Sequence, residues 1–136
     1  MEPIQLEPVG VIRSPIKRLE DAPSFYTEGA PAARIEVYGA FANALLRMRA
    51  GDEIIVITWL HLGRRDVLQV HPRGEPSNPL TGVFSTRSPD RPNPLGLHRV
   101  VIRKIENSRL RIGPIEVIDG TPVADIKPIL CDVRDS

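Results

Sequence analysis

Short runs rich in Val and Ile recur along the chain, with turn residues in most of the gaps between them. They are residues 9–12 (VGVI), 33–37 (ARIEV), 53–60 (EIIVITWL), 66–70 (DVLQV), 82–86 (GVFST), 98–105 (HRVVIRKI), 109–112 (RLRI) and 115–118 (IEVI). Val and Ile suit the pleated, half-buried surface of a sheet, and several of the runs alternate apolar with polar positions. So many short strands separated by Gly, Pro, Asn or Asp predict an all-β, mainly antiparallel protein, a compact barrel or sandwich rather than a layered α/β sheet. One short helix is expected within residues 38–52 (YGAFANALLRMRAGD). There Phe41, Leu45 and Met48 recur at helical spacing, Arg47 and Arg49 fall in the last turn, and Gly51 is placed to end it.

Two segments break the pattern. Residues 14–32 (SPIKRLEDAPSFYTEGAPA) form a long polar, Pro-containing stretch, and the interval from His71 to His98 holds six of the fourteen prolines. Proline fixes φ and removes a backbone donor, so neither segment suits an interior helix or a central strand. A proline-stiffened loop loses less freedom when a ligand arrives than a loose one does. Inside the second, GVFSTRSPDRPNPLG (82–96) carries Arg87 and Arg91, whose planar guanidinium groups suit a carboxylate or phosphate. An Arg87–Asp90 pair that merely closes a turn is the structural alternative.

Composition narrows the classes. The chain has 136 residues, 41% of them apolar, which suits one domain with its own core and leaves no room for a second large one. A net charge of +1 gives no molecule-wide footprint for nucleic acid, so any such footprint is local. The opening MEPIQLEPVG lacks the basic and apolar regions of a signal peptide and no run is long enough to span a membrane, which points to a cytoplasmic protein without a membrane partner. The single cysteine, Cys131, has no internal partner. No phosphate-cradling Gly-rich loop or dinucleotide fingerprint occurs, and no nucleophile elbow or HExxH zinc motif. His61, His71 and His98 stand too far apart in sequence to suggest a metal site. Further on, DGTPVADIKP (119–128) puts Asp119 and Gly120 at a turn, then Asp125 and Lys127 two apart, where a strand would set them on one face as an ion pair.

Taken together, PVGVIRSP, ARIEV, GVFSTRSPDRPNPLGL and DGTPVADIKP closely resemble the TrmO-like family, S-adenosylmethionine-dependent methyltransferases that modify N6-threonylcarbamoyladenosine in the anticodon loop of tRNA. The likeness runs from about residue 8 to 130 and rests on a long motif, T-R-S-x-x-R-P-N-P-[IL]-G. It implies a β-barrel that holds S-adenosyl-L-methionine without a Rossmann fold, as a homodimer with the site close to the subunit interface.

Carried over residue by residue, the resemblance implies cofactor contacts at Tyr26 and Thr27, His61 and Leu62, Arg87, Leu97, and Gly113, Pro114, Ile115 and Glu116. The segment PSFYTEG around Tyr26 departs from the family's usual pattern. The catalytic residue stays open, with His61, Glu116 and Asp125 as candidate bases, and no metal is expected. Arg13, Lys17, Arg18, Arg64, Arg65, Arg73 and Arg91 are candidates for a basic rim facing tRNA phosphates. Bacterial relatives continue into a further C-terminal region, whereas this chain ends at CDVRDS. Methylation of another RNA or a small molecule, and a non-catalytic barrel that binds S-adenosylmethionine or nucleotides, are the alternatives.

Overall fold

Alternation along the predicted strands closes into a barrel in the computed structural model, which describes residues 1–17 and 32–130. The strands are β1 (Gly10–Arg13), β2 (Ala33–Val37), β3 (Glu53–Trp59), β4 (Gln69–Val70), β5 (Thr81–Gly82), β6 (Leu95–Glu106), β7 (Arg109–Gly113) and β8 (Pro122–Pro128). Six of them form a closed antiparallel barrel in the order β1-β2-β7-β6-β3-β8, and β4 and β5 make a separate two-residue ladder. The all-β expectation therefore holds, with a barrel rather than a sandwich.

Period-two alternation decides what is inside. Ile12, Ile35, Ile54, Val56, Val100, Ile102, Leu110, Ile112 and Val123 are all buried in one cluster, and Ile115 and Val117 join it from beyond β7. β6 is the hinge of the architecture. Its first half pairs with β3 (Leu95↔Trp59 to Val101↔Glu53), its second half with β7, and the register shifts between Ile102 and Lys104. The extra residue there, Arg103, bends the strand so that it can serve both neighbours. Closure is brief: among the described residues β1 pairs with β8 at Gly10↔Val123 and Val11↔Pro122.

The expected helix is a 3-10 helix, Gly39–Leu45, rather than an α-helix reaching Gly51. It has no side-chain cap, the chain extends at Leu46, and Arg47 takes a positive φ of 73°. Phe41, Leu45 and Met48 nevertheless pack on the core as their spacing predicts. Gly51, at φ 97°, turns the chain into β3 and donates its N–H to Ile102 O at 2.7 Å.

Three predicted strands are shortened for a common reason. Residues 66–70 and 82–86 retain only the β4–β5 ladder, since Pro72, Pro76 and Pro79 interrupt the intervening chain and Val83–Ser85 coils into a 3-10 turn. Residues 115–118 carry no ladder, because Pro114 has no N–H with which to continue β7. In compensation β6 begins at Leu95, so the proline-rich motif runs straight into the longest strand.

The turn at Asp119 and Gly120 ties the ends of the fold together. Gly120 adopts φ 88° and bonds to Ile12 O at 2.8 Å, while Asp119 Oδ1 accepts from the Ser14 N–H at 3.0 Å. Burial works to raise the Asp119 pKa, but the Ser14 N–H, Lys17 and Arg13 outweigh it and hold the carboxyl below its ordinary value. Asp125 and Lys127 form the solvent-facing ion pair that their spacing predicts, at 3.7 Å.

Candidate functional site

Two loops are stitched together at the end of the barrel where β3 finishes and β6 starts. Leu60 N–H donates to Pro94 O at 2.7 Å, Arg91 N–H to Arg64 O at 2.8 Å, and Arg64 N–H to Asp90 Oδ1 at 2.8 Å. Arg65 adds a guanidinium bond to Pro92 O at 2.7 Å and lies over the Trp59 ring, 5.2 Å from its centroid. Gly63 permits the approach, since a Cβ there would overlap Pro89 O. The turn bearing His61 and Leu62 is thus fixed against the loop bearing Arg87.

The two arginines of TRSPDRP have different tasks. Arg91 turns inward and donates to the carbonyls of Val83, Thr86 and Ser88 at 2.9–3.1 Å, so it braces the loop and does not belong to a basic rim. Ser88 N–H donates to Thr86 Oγ1 and Asp90 N–H to Ser88 Oγ, both at 3.2 Å, which folds the loop on its own side chains. Arg87 is exposed and has no hydrogen-bond or ion-pair partner among the described residues. Asp90 is engaged by Arg64, so the turn is not closed by an Arg87–Asp90 pair.

Beneath the loops, inside the barrel, sits a small polar cluster. Thr58 and His98 occupy inward positions on β3 and β6, and Thr58 Oγ1 shares a 2.8 Å hydrogen bond with His98 Nε2. Both residues are buried. Beyond the last β6–β7 pair, Val101↔Gly113, the chain leaves the ladder at Pro114 and brings Glu116 to His98. Glu116 Oε1 lies 3.5 Å from His98 Nδ1, which is buried and otherwise without a partner among the described residues. Glu116 keeps 24% of its side chain exposed, so the carboxylate spans the polar interior and the rim. Gly96 makes room for this arrangement, since a Cβ on it would overlap Thr58 Oγ1 and come within 2.7 Å of His98 Nε2.

The remaining sequence candidates fall around this end. Leu97 faces outward beside Ile57, and Leu95 beside Trp59, giving an exposed apolar strip. Gly113 and Ile115 are buried, with Pro114 half-buried between them. Tyr26, Thr27, Arg18 and Cys131 lie outside the described residues. A cavity of about 680 Å³ opens against Trp59, Arg65 and Leu95 and is walled on its other side by Met1, Ile4 and Leu6. Its lining takes neighbours of the candidate residues rather than the candidates themselves. His98 and Thr58, central to the cluster, were not among the candidates. The signal for them was present in the strand phase, because His98 alternates with the buried Val100 and Ile102, and Thr58 with Ile54 and Val56.

Charge balance suits a zwitterionic, partly cationic ligand. A free guanidinium, a rim carboxylate and outward leucines supply one group of each kind that S-adenosylmethionine presents a complement to. Among the described residues no three His, Cys, Asp or Glu side chains come together as a metal-binding set, and no helix is long and apolar enough to cross a membrane.

Comparison with known proteins agrees with the motifs. The sequence profile of the tRNA-methyltransferase O N-terminal domain matches residues 11–134. A probable S-adenosyl-L-methionine-binding protein of Methanothermobacter thermautotrophicus is 40% identical over 130 residues, covering 96% of this chain and 93% of that one. An S-adenosyl-L-methionine-binding protein of Archaeoglobus fulgidus is 40% identical over 122 residues, covering 90% and 86%. The crystal structure of TrmO from Pseudomonas aeruginosa superposes with a TM-score of 0.76 at 27% identity over 99% of this chain, which spans only 61% of that longer protein. With its barrel, its proline-braced arginine loop and this profile match over nearly the whole length, the chain belongs to the tRNA-methyltransferase O N-terminal domain family.

Proposed function

We propose that the protein is an S-adenosylmethionine-dependent methyltransferase acting on N6 of threonylcarbamoyladenosine in the anticodon loop of tRNA. The observation that carries the cofactor part is the end of the barrel where Arg87, without a partner among the described residues, stands on a braced loop and Glu116 projects beside the buried His98. The names of the archaeal relatives support the cofactor, and the family's description as a tRNA-methyltransferase supports the RNA.

When bound, S-adenosylmethionine would supply an electrophilic methyl group on a sulfonium, which the urea-type N6 would accept as its proton leaves, without a covalent enzyme intermediate. The protein's work is therefore positioning and exclusion of water. Arg87 is placed to hold a carboxylate, Leu97 and Ile57 give an apolar wall for a flat base, and Gly113, Pro114 and Ile115 lead to the Glu116 carboxylate, an acceptor for hydroxyl or ammonium groups. The accepting nitrogen must lose a proton. Of the three candidate bases, Asp125 is tied to Lys127 and to the Ile126 N–H, and His61 is fully outside on its turn, which leaves Glu116 as the carboxylate nearest a buried polar group.

We infer a homodimer as the working form. Leu95 and Leu97 are exposed on the sheet at the same end as exposed Leu62 and Phe84, and a second copy would cover this strip and wall the open site. Light scattering at micromolar concentration should give twice the 15.1 kDa chain mass. A 15.1 kDa particle that still binds the cofactor would reject a shared site.

The activity is tested by incubating the protein with methyl-labelled S-adenosylmethionine and tRNA from cells with and without the threonylcarbamoyl modification, followed by nucleoside analysis. Label is expected only on the modified adenosine. Equal label on both tRNAs would reject the acceptor, and label on neither, with the cofactor bound, would favour a binding module over an enzyme.

A further inference from the structure

Strand register brings together a set of cations that lie far apart in sequence. Arg13 on β1 pairs across to Arg34 on β2, Arg34 to Arg111 on β7, and Arg111 to Lys104 on β6. All four are exposed on the outside of the barrel, so one row of basic side chains crosses four adjacent strands. At the usual strand spacing of about 4.8 Å the row is about 14 Å long. Its β1 end opens on a concavity of about 470 Å³ lined by Lys17, Arg13, Arg34 and Arg111 together with small residues such as Ser14 and Ala33.

Like charges directly opposed across strands destabilise a sheet, and the neighbouring carboxylates only partly offset them. Glu36 is shared between Arg13 at 3.4 Å and Arg34 at 3.0 Å, Asp119 is taken by Lys17 at 3.1 Å, and Glu106 by Lys104. Arg111, at the centre, has no ion-pair partner among the described residues. With Arg109, which stands opposite Glu36 and Glu106, six cations face three carboxylates on this one wall, whereas the whole chain carries a net charge of only +1. Among the described residues the concavity is lined by no large apolar side chain that could insert into a lipid surface, and its shape suits a strand-like polyanion better than a flat one.

We propose that the Arg13–Arg34–Arg111–Lys104 row is a track for the phosphate backbone of RNA. Contacts of this kind fix the position of a nucleic acid without reading its sequence, leaving base choice to the cofactor end. The identity of the polyanion as tRNA rests on the function proposed above, but the track itself does not depend on methyl transfer.

The test is binding of fluorescently labelled tRNA to the full chain, measured by anisotropy across a salt series. With a slope of about −0.7 per phosphate contact, losing two contacts should flatten log K against log salt by about 1.4 and weaken binding roughly 10-fold to 20-fold at 0.15 M salt. Arg34→Ala with Arg111→Ala is expected to do this, while the charge-keeping Arg111→Lys retains the slope. Arg99→Ala with Lys127→Ala removes the same charge from the wall flanking Ile55 and should leave tRNA binding within twofold. Cofactor binding by calorimetry, unchanged in each variant, shows that the fold is intact. Equal losses in the row and control variants would overturn the track, and so would tighter binding to phosphatidylserine–phosphatidylcholine vesicles than to tRNA. If the row variant alone loses tRNA while the wild type transfers no methyl group, the track stands and the enzyme assignment falls. The converse result, tRNA methylated with no dependence on the row, rejects the track and keeps the enzyme.

Discussion

Replacing Gly96 by alanine should lower the thermal unfolding midpoint by roughly 8–24 °C. The added Cβ would overlap Thr58 Oγ1 and stand 2.7 Å from His98 Nε2, both of them buried side chains held by a mutual hydrogen bond. Neither partner is the free end of a flexible chain, so the strand must shift or the bond must break. Overpacking a core typically costs about 1–3 kcal/mol. A buried donor or acceptor left without its partner costs about 1–3 kcal/mol more. The total, about 2–6 kcal/mol, is a large share of the roughly 5–15 kcal/mol that a domain has available. For a chain of this size each kcal/mol moves the midpoint by about 4 °C. Gly82→Ala is the matched control, because Gly82 has an ordinary φ of −62° and its Cβ would meet nothing within 4 Å. Differential scanning fluorimetry of the two variants decides the matter, and an unshifted Gly96→Ala would show that the Thr58–His98 bond contributes nothing to the fold.

How far the sequence alone leads can be judged at particular residues. Alternation located β2 to the residue and β1, β3 and β7 to within one, because each buries one face and its phase is visible in the chain. β8 was visible only as a pair of like-phased charges, since Pro122 and Pro128 stand at its two ends and mask it as a loop. The helix was visible through Phe41, Leu45 and Met48, but its 3-10 form was not, because contact with the core rather than local propensity holds it. Within the proline-rich motif, composition announced a rigid loop. It did not separate Arg91, whose guanidinium is used up on three carbonyls, from Arg87, which remains available. The distinction needs the loop's path. Register is likewise invisible in one strand, and register alone lines up Arg13, Arg34, Arg111 and Lys104, while the chain's path past Pro114 brings Glu116 to His98. Of the basic residues singled out in sequence and described in the structure, only Arg13 and Lys17 fall on that wall.

Arg87→Ala should weaken S-adenosylmethionine binding roughly 10-fold to 100-fold while leaving the unfolding midpoint in place. Stability is spared because the Arg87 guanidinium is exposed and bonded to nothing among the described residues, and the bonds that shape its loop come from Arg91, Arg64, Arg65, Thr86 and Ser88. A side chain held out on a braced loop with no partner is already placed for a ligand, so little freedom is lost when one arrives. A hydrogen bond to a charged group contributes about 1.5–3 kcal/mol. At about 1.4 kcal/mol per tenfold, its loss gives the stated range. Arg99→Ala is the comparison for charge alone, since Arg99 pairs with Glu53 at 3.4 Å on another part of the barrel and should leave the affinity within twofold. Isothermal titration calorimetry on the three proteins reads both the affinity and the enthalpy. An Arg87→Ala variant that binds as the wild type does would remove Arg87 from the site. A wild type that binds no S-adenosylmethionine would reject the cofactor itself. If Arg99→Ala weakens binding as much as Arg87→Ala, the effect is long-range charge rather than contact, and repeating the titration at high salt would then erase both losses together.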